Sequence, residues 1–163
     1  MPSAGEDPGA RAVRAEDAFD VPALAAWLAE HAAAGRTEVD LSGAVPAVRQ
    51  FSGGVSNLTY LLRYPGGELI LRRPPRGSHA GTAHDMAREY RIQTELGRFL
   101  PYVPRTVALC QDPSVLGTPF YVMQRLLGPI PRKNLPAGLD LSRDQVARLC
   151  RNAVDLLVEL HAV

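Results

Sequence analysis

Apolar positions along the chain recur at two periods, and each change of period marks an element. Leu24, Trp27, Leu28 and His31 fall at helical spacing behind Asp20 and Pro22. An N-cap followed by proline in the first turn predicts an amphipathic helix of about three turns closing near Gly35. Trp27 and His31 share its apolar face as packing residues. The period then shortens. Residues 45–51, 57–64 and 68–73 read as strands. Pro65, Gly66 and Gly67 turn the second into the third, and Pro74 and Pro75 end the third. Helical spacing returns over 83–100, where Ile92, Leu96 and Phe99 form an apolar line with Met86 and Tyr90 beside it. Glu89 sits between these lines, near the edge of the expected buried face. Residues 106–110 and 120–123 are short apolar runs and read as two more strands. The predicted class is α+β: a mostly antiparallel sheet of about five strands with a helix on one face.

The two ends read differently. Residues 1–18, rich in Ala, Gly, Pro and charge and without periodicity, are expected to be a flexible tail. Residues 19–126 form the lobe just outlined. From 127 the chain carries Gly128, Pro129, Pro131, Pro136 and Gly138, a linker composition. Ser142 with Gln145 three positions on fits a capping box. Val146, Leu149, Val154, Leu157, Val158 and His161 then continue a long amphipathic helix. With nothing of its own to pack against, that helix reads as the first element of an incomplete second lobe.

Composition excludes more than it selects. Apolar content of 46%, charged content of 21% and net charge +1 are ordinary for a globular chain. They give no footprint for nucleic acid or a membrane surface. No apolar run approaches the ~20 residues that cross a bilayer. Cys110 and Cys150 read as buried free thiols, and a cytoplasmic location is expected. The basic residues are 17 Arg and a single lysine, Lys133. Any cationic role before Lys133 therefore falls to arginine.

One stretch carries candidate chemistry. Between the first two strands lie Ser52, Gly53, Gly54, Ser56 and Asn57. Two glycines remove the Cβ atoms that hold a ligand off the backbone. Such a loop can aim N–H groups into one concavity that suits phosphate. By itself it reads more readily as a plain hairpin turn, because short Gly-rich loops are weak motifs.

The order of elements, the stretch from Gln50 to Leu62, Leu71-Arg72-Arg73-Pro74-Pro75, Arg88-Glu89-Tyr90-Arg91 and the segment from Asp112 to Met123 together resemble a known family. It is the aminoglycoside phosphotransferase and choline kinase-like family, relatives of the protein kinases. The nearest branch is the phosphotransferase domains associated with acyl-CoA dehydrogenases. The resemblance covers residues 20–163 and implies a protein-kinase-like small lobe that binds ATP, with Mg²⁺. It implies that Ser52, Gly53, Gly54, Ser56 and Asn57 cover the phosphates. Arg72, in the place usual for lysine, would contact them, paired with Glu89. Met123 would line the adenine pocket, with Gln124, Arg125 and Leu126 at the hinge. The family's His-x-Asp-x-x-x-x-Asn loop and its later metal-binding Asp have no counterpart in residues 1–163. The acceptor-binding surface belongs to the same missing part, so the acceptor hydroxyl stays open among aminoglycoside, choline-like alcohol, sugar and hydroxyacyl thioester. The expectation is a nucleotide-binding portion, inactive alone. The alternative is a non-catalytic interaction module that keeps the small-lobe fold and self-associates through its exposed inter-lobe face. A third reading, nucleic-acid binding through Arg63, Arg72, Arg73 and Arg76, is disfavoured by the charge balance and the lack of a stacking platform.

Overall fold

The computed structural model describes residues 9–32, 35–52, 57–75, 85–128 and 138–162. Within them one antiparallel sheet of six strands runs in the order β1-β2-β3-β4-β6-β5. Its strands are β1 (Ala10–Arg11), β2 (Ala47–Phe51), β3 (Leu58–Tyr64), β4 (Gly67–Arg73), β5 (Thr106–Cys110) and β6 (Phe120–Gln124). The sheet thus has six strands where about five were expected. The extra one comes from the stretch read as a tail: Ala10 and Arg11 pair with Phe51 and Gln50. A 3-10 turn at Ala15–Asp17 follows, with Asp17 buried.

Helix α1 (Val21–His31) begins where Asp20 accepts from the Ala23 N–H at 2.9 Å. It buries Leu24 and Leu28 against the side chains that alternate along β3 and β4, namely Leu58, Tyr60, Leu62, Leu69 and Leu71. Each fully buried leucine adds about 2 kcal/mol of transfer free energy. His31 stacks on Trp27 at 4.7 Å and bonds the Trp27 carbonyl, as its packing role predicts. At the β3–β4 turn a Cβ on Gly67 would stand 2.8 Å from Val39 Cγ2, so no larger residue fits there without displacing that side chain.

The chain leaves β4, forms α2 (Met86–Leu96) and returns to the sheet edge as β5. The short helix α3 (Pro113–Leu116), capped by Gly117 at φ +83°, turns it into β6. This order inserts β6 between β4 and β5 and sets Tyr121 opposite Arg72. Helix α2 lies over β5 and β6 on the side away from α1, as Glu89, Gln93 and Thr94 show by bonding Tyr121 and Thr106. The expected apolar line does not face the sheet as a whole: Ile92 is exposed, Leu96 is half-buried, and Phe99, exposed, lies beyond the end of the helix. The sheet-facing stripe is Met86, Glu89, Tyr90, Gln93 and Thr94. A smaller apolar cluster of Ala10, Leu61 and Ile70, flanked by Phe51 and Met123, occupies the other end of this inner face.

Helix α4 (Arg143–His161) carries the expected capping box between Ser142 and Gln145. None of its residues is buried. Most of the proline-rich segment before it lies outside the described residues, as does the run 76–84. Cys110 is buried and Cys150 is exposed, which corrects the expectation of two buried thiols; both are free. Among the described residues no helix is long and apolar enough to cross a membrane.

Candidate functional site

Arg72 and Glu89 meet on the inner face. Arg72 sits at the fourth strand, where alternation turns it away from the core that receives Leu71 and Arg73. Glu89 comes down from the first turn of α2, which Asp85 starts by accepting from the Arg88 N–H at 2.8 Å. Arg72 Nη2 stands 3.5 Å from Glu89 Oε2. Each side chain keeps about a third of its surface, 29% and 32%, so the pair is open to a ligand.

Two further groups hold the carboxylate. The Asn57 amide donates to Glu89 Oε1 at 2.7 Å. The Tyr121 hydroxyl donates to Oε2 at 3.1 Å, and Gln93 Nε2 donates to that hydroxyl at 3.4 Å. Burial pushes the Tyr121 phenol well above its ordinary range; Arg72 opposes that shift, and the Glu89 charge adds to it. Among the described residues Arg72 Nε is buried and has no hydrogen-bond partner. A buried donor without an acceptor costs about 1–3 kcal/mol. An anionic oxygen at that point would satisfy it, so the donor set fits a phosphate. Among the described residues no three acidic, histidine or cysteine side chains cluster as metal ligands, and none is assigned to magnesium.

The other expected residues fall around this centre. Ser52 is exposed at the end of β2, and Asn57 is buried at the start of β3. Gly53, Gly54 and Ser56 lie outside the described residues. Met123 packs beside Ile70 and Leu61, placing an apolar floor next to Arg72. Gln124 is engaged with the neighbouring strand: its N–H donates to the Arg105 carbonyl at 2.8 Å, and its Oε1 accepts from the Arg105 N–H at 3.3 Å. Arg125 is tied to Glu68, which also receives Arg63 Nε at 2.7 Å. Leu126 is half exposed at 52%.

Sequence reasoning missed Tyr121, Gln93, Ile70 and Leu61. Tyr121 left one signal: a phenol inside a buried strand needs a hydrogen-bond partner. It also missed Arg73, the neighbour of Arg72, which is wholly buried. Arg73 donates to the Asp17 carbonyl at 2.5 Å, the Leu116 carbonyl at 3.2 Å and the Tyr60 hydroxyl at 3.1 Å. Its guanidinium lies 5.0 Å from the Phe19 ring centroid. Arg73 therefore ties the N-terminal turn and α3 to β4, while Arg72 faces the site. A cleft of about 340 Å³ is lined by Arg11, Arg14, Gln50, Phe51, Ser52 and Leu58.

An antiparallel sheet with a cation on one strand and its acid on the helix that follows defines a kinase-like small lobe. The chain belongs to the phosphotransferase enzyme family, whose model matches residues 47–163. It is 38% identical over 114 residues to mouse acyl-CoA dehydrogenase family member 10, covering 70% of this chain and 10% of that protein. It is 35% identical over 153 residues to chicken acyl-CoA dehydrogenase family member 11, covering 94% of this chain and 18% of that protein. The crystal structure of a putative aminoglycoside phosphotransferase from Ralstonia eutropha superposes with a TM-score of 0.54 at 32% identity. That match covers 74% of this chain and 32% of the other. The chain thus spans a small part of the curated relatives and about a third of the solved structure.

Proposed function

We propose that residues 1–163 hold the nucleotide of an ATP-dependent phosphotransferase acting on a small-molecule hydroxyl. The observation that carries this reading is Arg72 Nε, buried without a partner beside the Glu89 carboxylate. In this reading Arg72 contacts the phosphates, and Ser52, Gly53, Gly54 and Ser56 cover them, with Asn57 anchoring the loop to Glu89. Met123 and the segment 124–126 take the adenine. ATP supplies the transferred phosphoryl group, with magnesium. The 163 residues contain no His-x-Asp-x-x-x-x-Asn sequence to orient an acceptor hydroxyl. They are therefore proposed to bind nucleotide with negligible turnover.

Saturable binding of a fluorescent ATP analogue, displaced by unlabelled ATP, supports this reading; no saturable binding rejects it. Measurable Mg-dependent transfer by the purified chain rejects the proposed inactivity. A second reading, an interaction module, draws on α4. Val146, Leu149, Val154 and Leu157 are all exposed there, and a shallow groove of about 480 Å³ runs beside Val154, Leu157 and His161. Self-association without nucleotide binding would favour that reading.

A further inference from the structure

We infer that Tyr121 is a positioning residue of the phosphate site: its hydroxyl fixes the Glu89 carboxylate so that Arg72 is tethered through Nη2 and keeps Nε for a phosphate oxygen. This rests on the nucleotide reading and deepens it. A guanidinium and a carboxylate left to themselves close a two-pronged pair, which can use Nε together with one Nη. Here they do not. Glu89 Oε1 is taken by Asn57 at 2.7 Å, and Oε2 accepts from Tyr121 at 3.1 Å. Arg72 approaches Glu89 at Oε2, 3.5 Å from Nη2, and among the described residues its buried Nε has no hydrogen-bond partner.

The direction of the Tyr121 bond is also set. Gln93 Nε2 donates to the phenol oxygen at 3.4 Å, which turns the phenol's single proton toward Glu89. The Tyr90 ring packs edge-on at 6.3 Å and limits the swing of the phenol. The register does the rest. Tyr121 is the direct cross-strand partner of Arg72, so both side chains leave the same face and meet the same acid. Without the hydroxyl, the carboxylate stays bonded to Asn57 through Oε1 but is released at Oε2, which can then turn to close on Nε. Arg72 would then be paired with Glu89 in competition with the phosphate.

The test is Tyr121→Phe in the full 163-residue chain, read in two ways. The first reading needs no ligand: the Arg72 Nε–Hε signal in a ¹⁵N-labelled sample. It is expected to shift downfield in Tyr121→Phe as Nε gains the carboxylate, and an unmoved signal overturns the inference. The second reading is titration with MgATP and with adenosine, which lacks phosphates. Tyr121→Phe is expected to weaken MgATP about tenfold, the scale of one hydrogen bond to a charged group, and to leave adenosine unchanged. Equal weakening of both ligands makes Tyr121 a packing residue and overturns the inference, as does MgATP affinity within about twofold of wild type. Gln93→Leu, which removes the donor that orients the phenol, serves as a second variant, with a smaller shift of the same sign. If wild type binds neither ligand, the nucleotide reading fails, and the Nε signal still decides whether Tyr121 positions Glu89.

Discussion

Glu89 Oε2 stands 3.5 Å from Arg72 Nη2, although the two residues belong to different elements joined by a long crossover. The pair is about a third exposed, so solvent screens it and little of its attraction counts toward folding. Glu89→Gln is expected to change stability by no more than about 1 kcal/mol in urea denaturation. Its effect should fall on ligand binding instead. A loss well beyond that range would make Glu89 a folding residue rather than a site residue.

Adjacent arginines on β4 should separate cleanly. Arg73 is fully buried and satisfies two main-chain carbonyls and the Tyr60 hydroxyl. Arg73→Met leaves those acceptors unpaired and is expected to cost about 3 kcal/mol. Arg72→Met should cost less than about 1 kcal/mol. Urea midpoints of the two variants, measured side by side, check the difference.

Asp17 gives stability a pH dependence. Burial pushes its carboxyl upward, but donation from Gln50 and Arg14 and the charges of Arg14 and Arg73 outweigh this and hold it below the usual range. The folded carboxyl thus titrates below the unfolded value of about 3.9. Its stabilisation is complete above that value and is lost as pH falls through the folded one. Asp17→Asn should destabilise the protein near neutral pH and flatten the fall in stability between about pH 5 and about pH 2. Denaturation midpoints across that window check it; parallel curves for variant and wild type would contradict it.

Helix α4 should drive association of the 163-residue chain. Its exposed Val154, Leu157 and Leu160 form an apolar surface of the kind that soluble monomers rarely present. Leu157→Glu is expected to shift the chain toward monomer in sedimentation. Unchanged behaviour would place any association elsewhere.

The parts legible in the sequence were those set by local rules. The caps of α1 and α4 and the alternation in β3 and β4 depend on neighbours within a few positions. Strand β1 has two residues and no period to read; its place comes from pairing with a strand almost forty positions on. The burial of Arg73 was not legible, because nothing nearby in the sequence shows that Asp17, Phe19 and Leu116 enclose it. Helix α2 misled for a different reason. Its sheet-facing stripe is partly polar because Glu89 and Gln93 bond the Tyr121 hydroxyl, and the conspicuous apolar Ile92 ended on the outside, while the helix stops before Phe99. Arg72 and Glu89 were legible through the family pattern. Tyr121 was not, because its place opposite Arg72 and beside Glu89 comes from a register that the inserted β6 creates.

The most direct test of the account is calorimetric titration of MgATP into the wild-type chain and into Arg72→Met. The account predicts saturable binding by wild type and at least a tenfold loss in the variant, about 1.4 kcal/mol, with little change in stability. Failure of wild type to bind, or binding by Arg72→Met as tight as wild type, would contradict it.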